Sequence, residues 1–270
     1  YMCQPLWCKT LVNITMKYKR VIAFGCSYTN YEWPTWADII GHDLGIEFYN
    51  RGIAGTGNVS IFHRMFDWDL KHKFNGDDLI LVCWSSWARE DRIKDFPDNW
   101  RMVGNIFNQN QKDFDFIRKY WCPHNDIVRN ATAIISANRL FPITHQTHMI
   151  SPKQPPWIEH FPDHKHLVKA MPPIVTFDNW YEKTGCFAGK VRDNHPDIAC
   201  HLNHAQQVYK DLGLELKQST FTKYKDMHTY VCNNYKPTTK QQRQLSKPFN
   251  NLSAKIVREI IGGYNEGFLH

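Results

Sequence analysis

The spacing of apolar and polar positions divides the first half of the chain into alternating strand and helix signals. Val21-Ile22-Ala23-Phe24 is a continuous apolar run between the basic Lys17-Tyr18-Lys19-Arg20 stretch and a Gly25-Cys26-Ser27-Tyr28-Thr29 turn, which predicts a buried parallel strand. Pro34 to Gly45 carries apolar residues at Trp36, Ile39, Ile40 and Leu44 and ends in glycine, the pattern of a short amphipathic helix. Ile46 to Asn50 predicts a second strand running into Arg51-Gly52-Ile53-Ala54-Gly55-Thr56-Gly57-Asn58, where glycines permit a turn that larger residues resist. A helix over Val59–Leu70 and a strand over Asp78–Trp84 complete a βαβαβ order, which implies a parallel sheet with helices on its faces.

The second half is less regular. Ser85 to about Cys122 mixes charged residues with Trp87, Trp100, Phe107, Phe114, Phe116, Tyr120 and Trp121, and is expected to form a lid-like insertion. Asn125–Leu140 returns to helical spacing, Phe141–Ile150 is the expected fourth strand, and the proline-rich Ser151–Pro173 is expected to be a loop. Ile198–Leu212 predicts the last core helix. Beyond Leu216 the chain turns polar and basic, and only Leu252–Ile261 carries a clear apolar stripe. The expected organisation is an N-terminal extension over 1–15, a core domain over 16–215 and a C-terminal extension over 216–270 that packs on the core or on another subunit.

Composition narrows the classes. A chain of 270 residues that is 42% hydrophobic and 14% aromatic can bury a full core. Its net charge of +7 is spread over 33 basic and 26 acidic residues, too mixed to argue for a nucleic-acid partner. No run approaches the roughly 18 apolar residues of a membrane span, and the residues before Met16 lack the basic-then-apolar order of a secretory signal. Eight cysteines form no Cys-x-x-Cys pair, which favours a reduced, intracellular setting over a disulfide scaffold.

Candidate chemistry gathers at the strand ends. In open α/β sheets ligands bind beyond the carboxyl ends of the strands, where Ser27 stands after the first strand. A serine needs a base to take its proton, and the base needs an acid to hold its tautomer. His195 and Asp193, in Asp193-Asn194-His195-Pro196 before the last core helix, supply those types. Backbone N–H groups of Ser27 and Gly55 are candidates to receive the developing oxyanion.

These blocks resemble the SGNH, or GDSL-type, hydrolase superfamily. The similar pieces are Phe24-Gly25-Cys26-Ser27-Tyr28-Thr29, Asn50-Arg51-Gly52-Ile53-Ala54-Gly55 and Asp193-Asn194-His195-Pro196, spread over residues 17 to about 212. The resemblance implies a flavodoxin-like three-layer α/β/α sandwich with a parallel sheet. It implies Ser27 as nucleophile and first oxyanion donor, Gly55 as second donor, and His195 as base with Asp193 behind it. The implied activity is hydrolysis of acyl or acetyl esters of lipids or glycans, with no metal or organic cofactor.

Two departures stand out. The family's third block carries an asparagine, whereas this chain reads Cys83-Trp84-Ser85-Ser86-Trp87, so Ser85 or the nearby Asn58 is the candidate for the missing donor. The family's acid precedes the histidine by three residues, whereas Asp193 precedes His195 by two and Arg192 fills the usual place. Cys26 also replaces the family's common aspartate. A binding protein that keeps the fold without efficient catalysis is the alternative these departures leave open. The histidines at 145, 148, 160, 164 and 166 invite a metal reading, but no helical His-x-x-x-His with a third ligand is evident, and a proline-flanked polar loop accounts for them. His201 and His204 read as packing residues of the last core helix.

Overall fold

Strand β1 (Arg20–Gly25) contains the first apolar run, and every residue from Val21 to Gly25 is buried. A computed structural model of the chain describes residues 17–95, 99–105, 119–120, 122–149, 162–177, 186–188, 190–191, 193, 195–236 and 251–267. The expected N-terminal extension, the lid aromatics Phe107, Phe114, Phe116 and Trp121, and the basic run from Lys240 lie outside these residues. The chain separates into two compact units, one holding residues up to Thr29 and Ile46–Phe177, the other Asn30–Gly45 and the residues after Phe177.

The first unit contains the sheet. β1 pairs in parallel with β2 (Glu47–Gly52) on one side and β3 (Asp78–Trp84) on the other, with Ala23 level with Asn50 and Leu81. Beyond β3 come β6 (His145–His148) and the short β7 (Val175–Thr176), also parallel. In chain order the strands of this sheet lie 2-1-3-4-5, the flavodoxin-like order. On one face Ile22, Phe24, Ile80 and Val82 pack against Ile61, Met65 and Trp68 of α2 (Asn58–His72) and Ile134 and Ala137 of α3 (Pro123–Leu140). On the other, Val21, Ala23, Leu79 and Leu81 are equally buried. Both faces of the central strands are closed to solvent, and the fold class is α/β, a flavodoxin-like α/β/α fold as expected.

Several elements differ from the sequence reading. Within the expected lid, β4 (Arg89–Asp95) and β5 (Asn99–Asn105) form an antiparallel hairpin. Arg-Glu-Asp-Arg-Ile-Lys-Asp has no apolar alternation, so its pairing leaves no signature in the pattern. The expected loop of residues 151–173 lies outside the description as far as residue 161, and then forms a 3₁₀ turn (Pro162–His164) and α4 (Lys165–Lys169).

The hairpin completes α2. Gly57 at the N-cap has no side chain to cap with, and the carboxylate of Asp91 on β4 accepts from the main-chain N–H of Gly57 at 2.7 Å and of Ser60 at 3.0 Å. A Cβ on Gly57 would lie 2.6 Å from Asp91 Oδ2, so the cap and the glycine go together. Asp91→Ala is expected to lower stability by about 1–2 kcal/mol in urea denaturation; a variant within about 0.3 kcal/mol of the parent would show that the bonds to α2 carry nothing.

In the second unit α1 (Trp36–Leu44) packs on α5 (Ile198–Asp211), with Trp36 edge-on to His204 at 5.4 Å. Gly45, at φ +65°, ends α1 in the left-handed conformation that glycine adopts freely. Buried Asp43 accepts from the Tyr209 hydroxyl at 2.7 Å and from the Lys217 N–H at 3.1 Å. There follows α6 (Gln218–Asn234), absent from the sequence reading, because its inward stripe of Thr220, Tyr224, Met227 and Val231 is narrow and partly polar. Ala254, Val257, Ile261 and Tyr264 of α7 (Asn251–Gly267) are buried, and the helix packs on α6.

Candidate active site

Three of the residues singled out in the sequence follow the carboxyl ends of three neighbouring strands. Ser27 comes just after β1, Gly55 after β2 and Ser85 directly after β3. The first two turns are tied together. Ile53 N–H donates to Gly25 O at 3.1 Å, and Asn50 Nδ2 donates to Thr29 O at 2.7 Å while its Oδ1 accepts from Gly52 N–H. Arg64 of α2 adds a fork, donating to Gly25 O at 3.0 Å and to Arg51 O. Burial pulls the Arg64 guanidinium down to about 10, which leaves it a cation at neutral pH.

Gly25 is required by space. A Cβ there would lie 2.0 Å from Thr29 Oγ1 and 2.9 Å from the Cys83 carbonyl, so no side chain fits between β1 and its own following turn. Ser27 beyond it is 2% exposed, and Tyr28 packs edge-on against Phe177 at 5.2 Å. Gly55 adopts φ +82°, a conformation that disfavours any L side chain.

The expected third donor is not where the sequence suggested. Asn58 is buried, and its Nδ2 donates to Ser85 O at 3.1 Å and to Asn130 Oδ1 at 2.8 Å while its Oδ1 accepts from Ser85 N–H at 2.7 Å. With both amide hydrogens spent, Asn58 cannot serve an oxyanion; it clamps the main chain of Ser85 instead. The Ser85 hydroxyl is fully buried and directed at Met149 Sδ, 3.4 Å away, and Cys26 Sγ meets the same sulfur at 3.7 Å. The Asn58 and Ser85 side chains are thus both engaged with partners inside the fold. A polar residue opening α2 directly after the glycine turn is the sequence signal for the clamp, and it does not say what is clamped.

Asp193 and His195 belong to the second unit, and the structure brings them together. Asp193 Oδ1 lies 2.5 Å from His195 Nδ1 and accepts from the His195 main-chain N–H at 2.9 Å, so the two-residue spacing closes a local ring. The other oxygen, Oδ2, accepts from the Tyr31 hydroxyl at 2.8 Å. Burial pushes the Asp193 carboxyl up, but the hydrogen bonds from His195 and Tyr31 outweigh it and hold it below the ordinary carboxylate value. An ionised carboxylate only accepts, so Nδ1 carries the proton and Nε2 is the basic atom of the ring.

The surroundings fix this pair. The Tyr31 ring stacks on the His195 ring, with centroids 3.9 Å apart and planes at 22°. Trp33 meets Tyr31 edge-on at 4.7 Å and donates from Nε1 to Pro196 O at 2.8 Å. Cys186 Sγ sits 2.9 Å from Asp193 O and 2.7 Å from His195 O, and burial pushes its thiol far up, so it stays protonated and donates. Asp197 caps α5 through Cys200 N–H at 3.0 Å, accepts from Phe187 N–H at 2.7 Å and meets His228 Nε2 at 3.1 Å. His201 is wholly buried, and burial pulls it down to about 3, the state of a neutral packing histidine. Among the described residues no three histidine, cysteine or acidic side chains converge as a metal site.

No protein-family model and no curated protein matches this chain. Among solved structures, a variant of an acetyl xylan esterase from Geobacillus stearothermophilus is similar at 14% identity, over 74% of this chain and 97% of that one, with a TM-score of 0.43. A protein from Desulfitobacterium hafniense, described as lipolytic and of the G-D-S-L family, is similar at 15% identity, over 65% of this chain and 81% of its own, with a TM-score of 0.30.

Proposed function

We propose that this chain is a serine-dependent hydrolase of carboxylic esters, of the SGNH type. The observation that supports it most directly is the Asp193–His195 pair, in which a buried, ionised carboxylate holds Nδ1 at 2.5 Å and leaves Nε2 as the ring atom able to accept a proton. In this reading Ser27 Oγ attacks the ester carbonyl carbon as its proton passes to His195 Nε2. The main-chain N–H groups of Ser27 and Gly55 receive the oxyanion. As the tetrahedral intermediate collapses, the carbon–oxygen bond to the alcohol breaks and His195 returns the proton to the leaving oxygen. Water then attacks the acyl-enzyme by the same route and releases the acid. The substrate class is an acyl or acetyl ester of a glycan or lipid, and the chemistry calls on no cofactor. Among the described residues no helix is long and apolar enough to cross a membrane.

The test is covalent. A fluorophosphonate is expected to add one label to the wild type and none to Ser27→Ala, with p-nitrophenyl esters from acetate to long acyl chains then ranking the acyl preference. Equal labelling of both proteins, or of neither, would overturn the reading. A second reading, a binding protein on this fold, is favoured by one observation: Asn58 and Ser85 are both committed elsewhere, which leaves the oxyanion to main-chain donors alone. An unlabelled, folded wild type that turns over no ester would select it.

A further inference from the structure

We infer that Tyr31 is a positioning residue for His195, holding the Asp193 carboxylate through one oxygen while its ring fixes the plane of the imidazole. The inference rests on the reading of His195 as the base, and deepens it.

The carboxylate explains why a second holder is needed. Asp193 Oδ1 receives both bonds from His195, one from the ring and one from the main chain. A carboxylate held at a single oxygen can still turn about its last side-chain bond, and every turn carries the imidazole with it. The Tyr31 hydroxyl, 2.8 Å from Oδ2, occupies the other oxygen, so rotation now breaks a charge-assisted bond. The ring of the same residue lies 3.9 Å from the imidazole at 22°, which removes the tilt. A phenol face also attracts a cation, and the imidazole becomes one when it takes a proton.

Tyr31 is itself held. Trp33 packs against its edge at 4.7 Å and is anchored to Pro196 O, next to His195 in sequence, so the segment of Tyr31 and the segment of His195 are bolted together at two points. The groups facing the pair within this unit are Tyr31, Glu32 beside it, Cys186 under the two carbonyls, Asp197 and His201. Burial, with Asp193 adding to it, pushes the Tyr31 hydroxyl far up, so it remains a donor throughout the working range.

The experiment compares Tyr31→Phe and Tyr31→Leu with the wild type in p-nitrophenyl acetate turnover against pH, and follows the His195 ring by NMR titration, assigned with His195→Gln. Tyr31→Phe keeps the stack and loses the donor. Its kcat is expected to fall about tenfold with KM unchanged. The less neutralised carboxylate then holds the imidazolium more strongly, so the ring titrates, and the acid limb of activity lies, at higher pH. Tyr31→Leu loses both contacts and is expected to fall about a hundredfold.

An unchanged ring titration in Tyr31→Phe would overturn the inference, as would a change in KM alone, which would make Tyr31 a substrate contact. The NMR arm needs no turnover. If the wild type shows no Ser27-dependent activity the hydrolase reading fails, while the titration still decides whether Tyr31 controls the imidazole.

Discussion

His195→Ala is expected to lower turnover of p-nitrophenyl esters by about 10⁴-fold, with Ser27→Ala falling to the same floor and the double variant no lower. In the proposed reading the shared floor follows from the two acting as one unit, since a serine without a base and a base without a serine are equally unproductive. Asp193→Asn is expected to fall about 10²–10⁴-fold, since an amide cannot hold Nδ1–H as an ionised carboxylate does. The sign of its pH effect is informative. Asp193 lies below the ordinary carboxylate value in spite of its burial, so it is charged at neutral pH, where the proposed reading has the imidazole act. Removing that charge withdraws support from the imidazolium, and the acid limb of activity moves to lower pH, opposite to the shift expected for Tyr31→Phe. His195→Ala retaining a tenth of wild-type turnover would place the base elsewhere.

The second large effect is on stability. Asp197 accepts from the first turn of α5, from Phe187 N–H and from His228, and is 4% exposed. Burial pushes its carboxyl up, but these partners, His228 foremost, bring it down to about 2. A depressed carboxylate contributes stability above its unfolded value, near 3.9, that is lost as pH falls through the folded value. Asp197→Ala is therefore expected to cost about 2–4 kcal/mol at pH 7 in urea denaturation, through the cap and the stranded partners. The gap from the wild type should narrow between about pH 4 and pH 2, where the wild type loses the same contribution. A gap that stays constant down to pH 2 would show that the carboxylate charge does no work at this junction.

The parts legible in the sequence are those in which one residue type at one spacing answers one physical demand. Val21 to Phe24 reads as a buried strand because it is short, wholly apolar and bounded by a basic stretch and a small-residue turn, and that turn puts a serine at the strand end. Asp193 and His195 are close enough in sequence for the chain itself to join them. What escaped depends on partners distant in sequence. Asn58 looked like a donor near the turn, and only the fold brings Ser85 and Asn130 to consume its amide. Tyr31 is an ordinary aromatic in the sequence until Asp193 is set beside its hydroxyl. The helix at Gln218–Asn234 escaped for another reason: Thr220 and Tyr224 are buried on its inner face, and a stripe so made reads as polar.

The borrowed cap on α2 has a consequence for synthesis. The helix begins at Asn58, but the carboxylate that satisfies its first turn is 34 residues beyond Gly57. As the nascent chain leaves the ribosome, the helix that carries Ile61, Met65 and Trp68 is made before the group that closes its end. Its leading turn stays open to water until the hairpin strand has emerged and come back. For anyone trimming or grafting this chain, the hairpin is thus not a detachable ornament: a version that ends before Asp91 inherits a helix with a frayed beginning, directly after the glycine turn that carries Gly55.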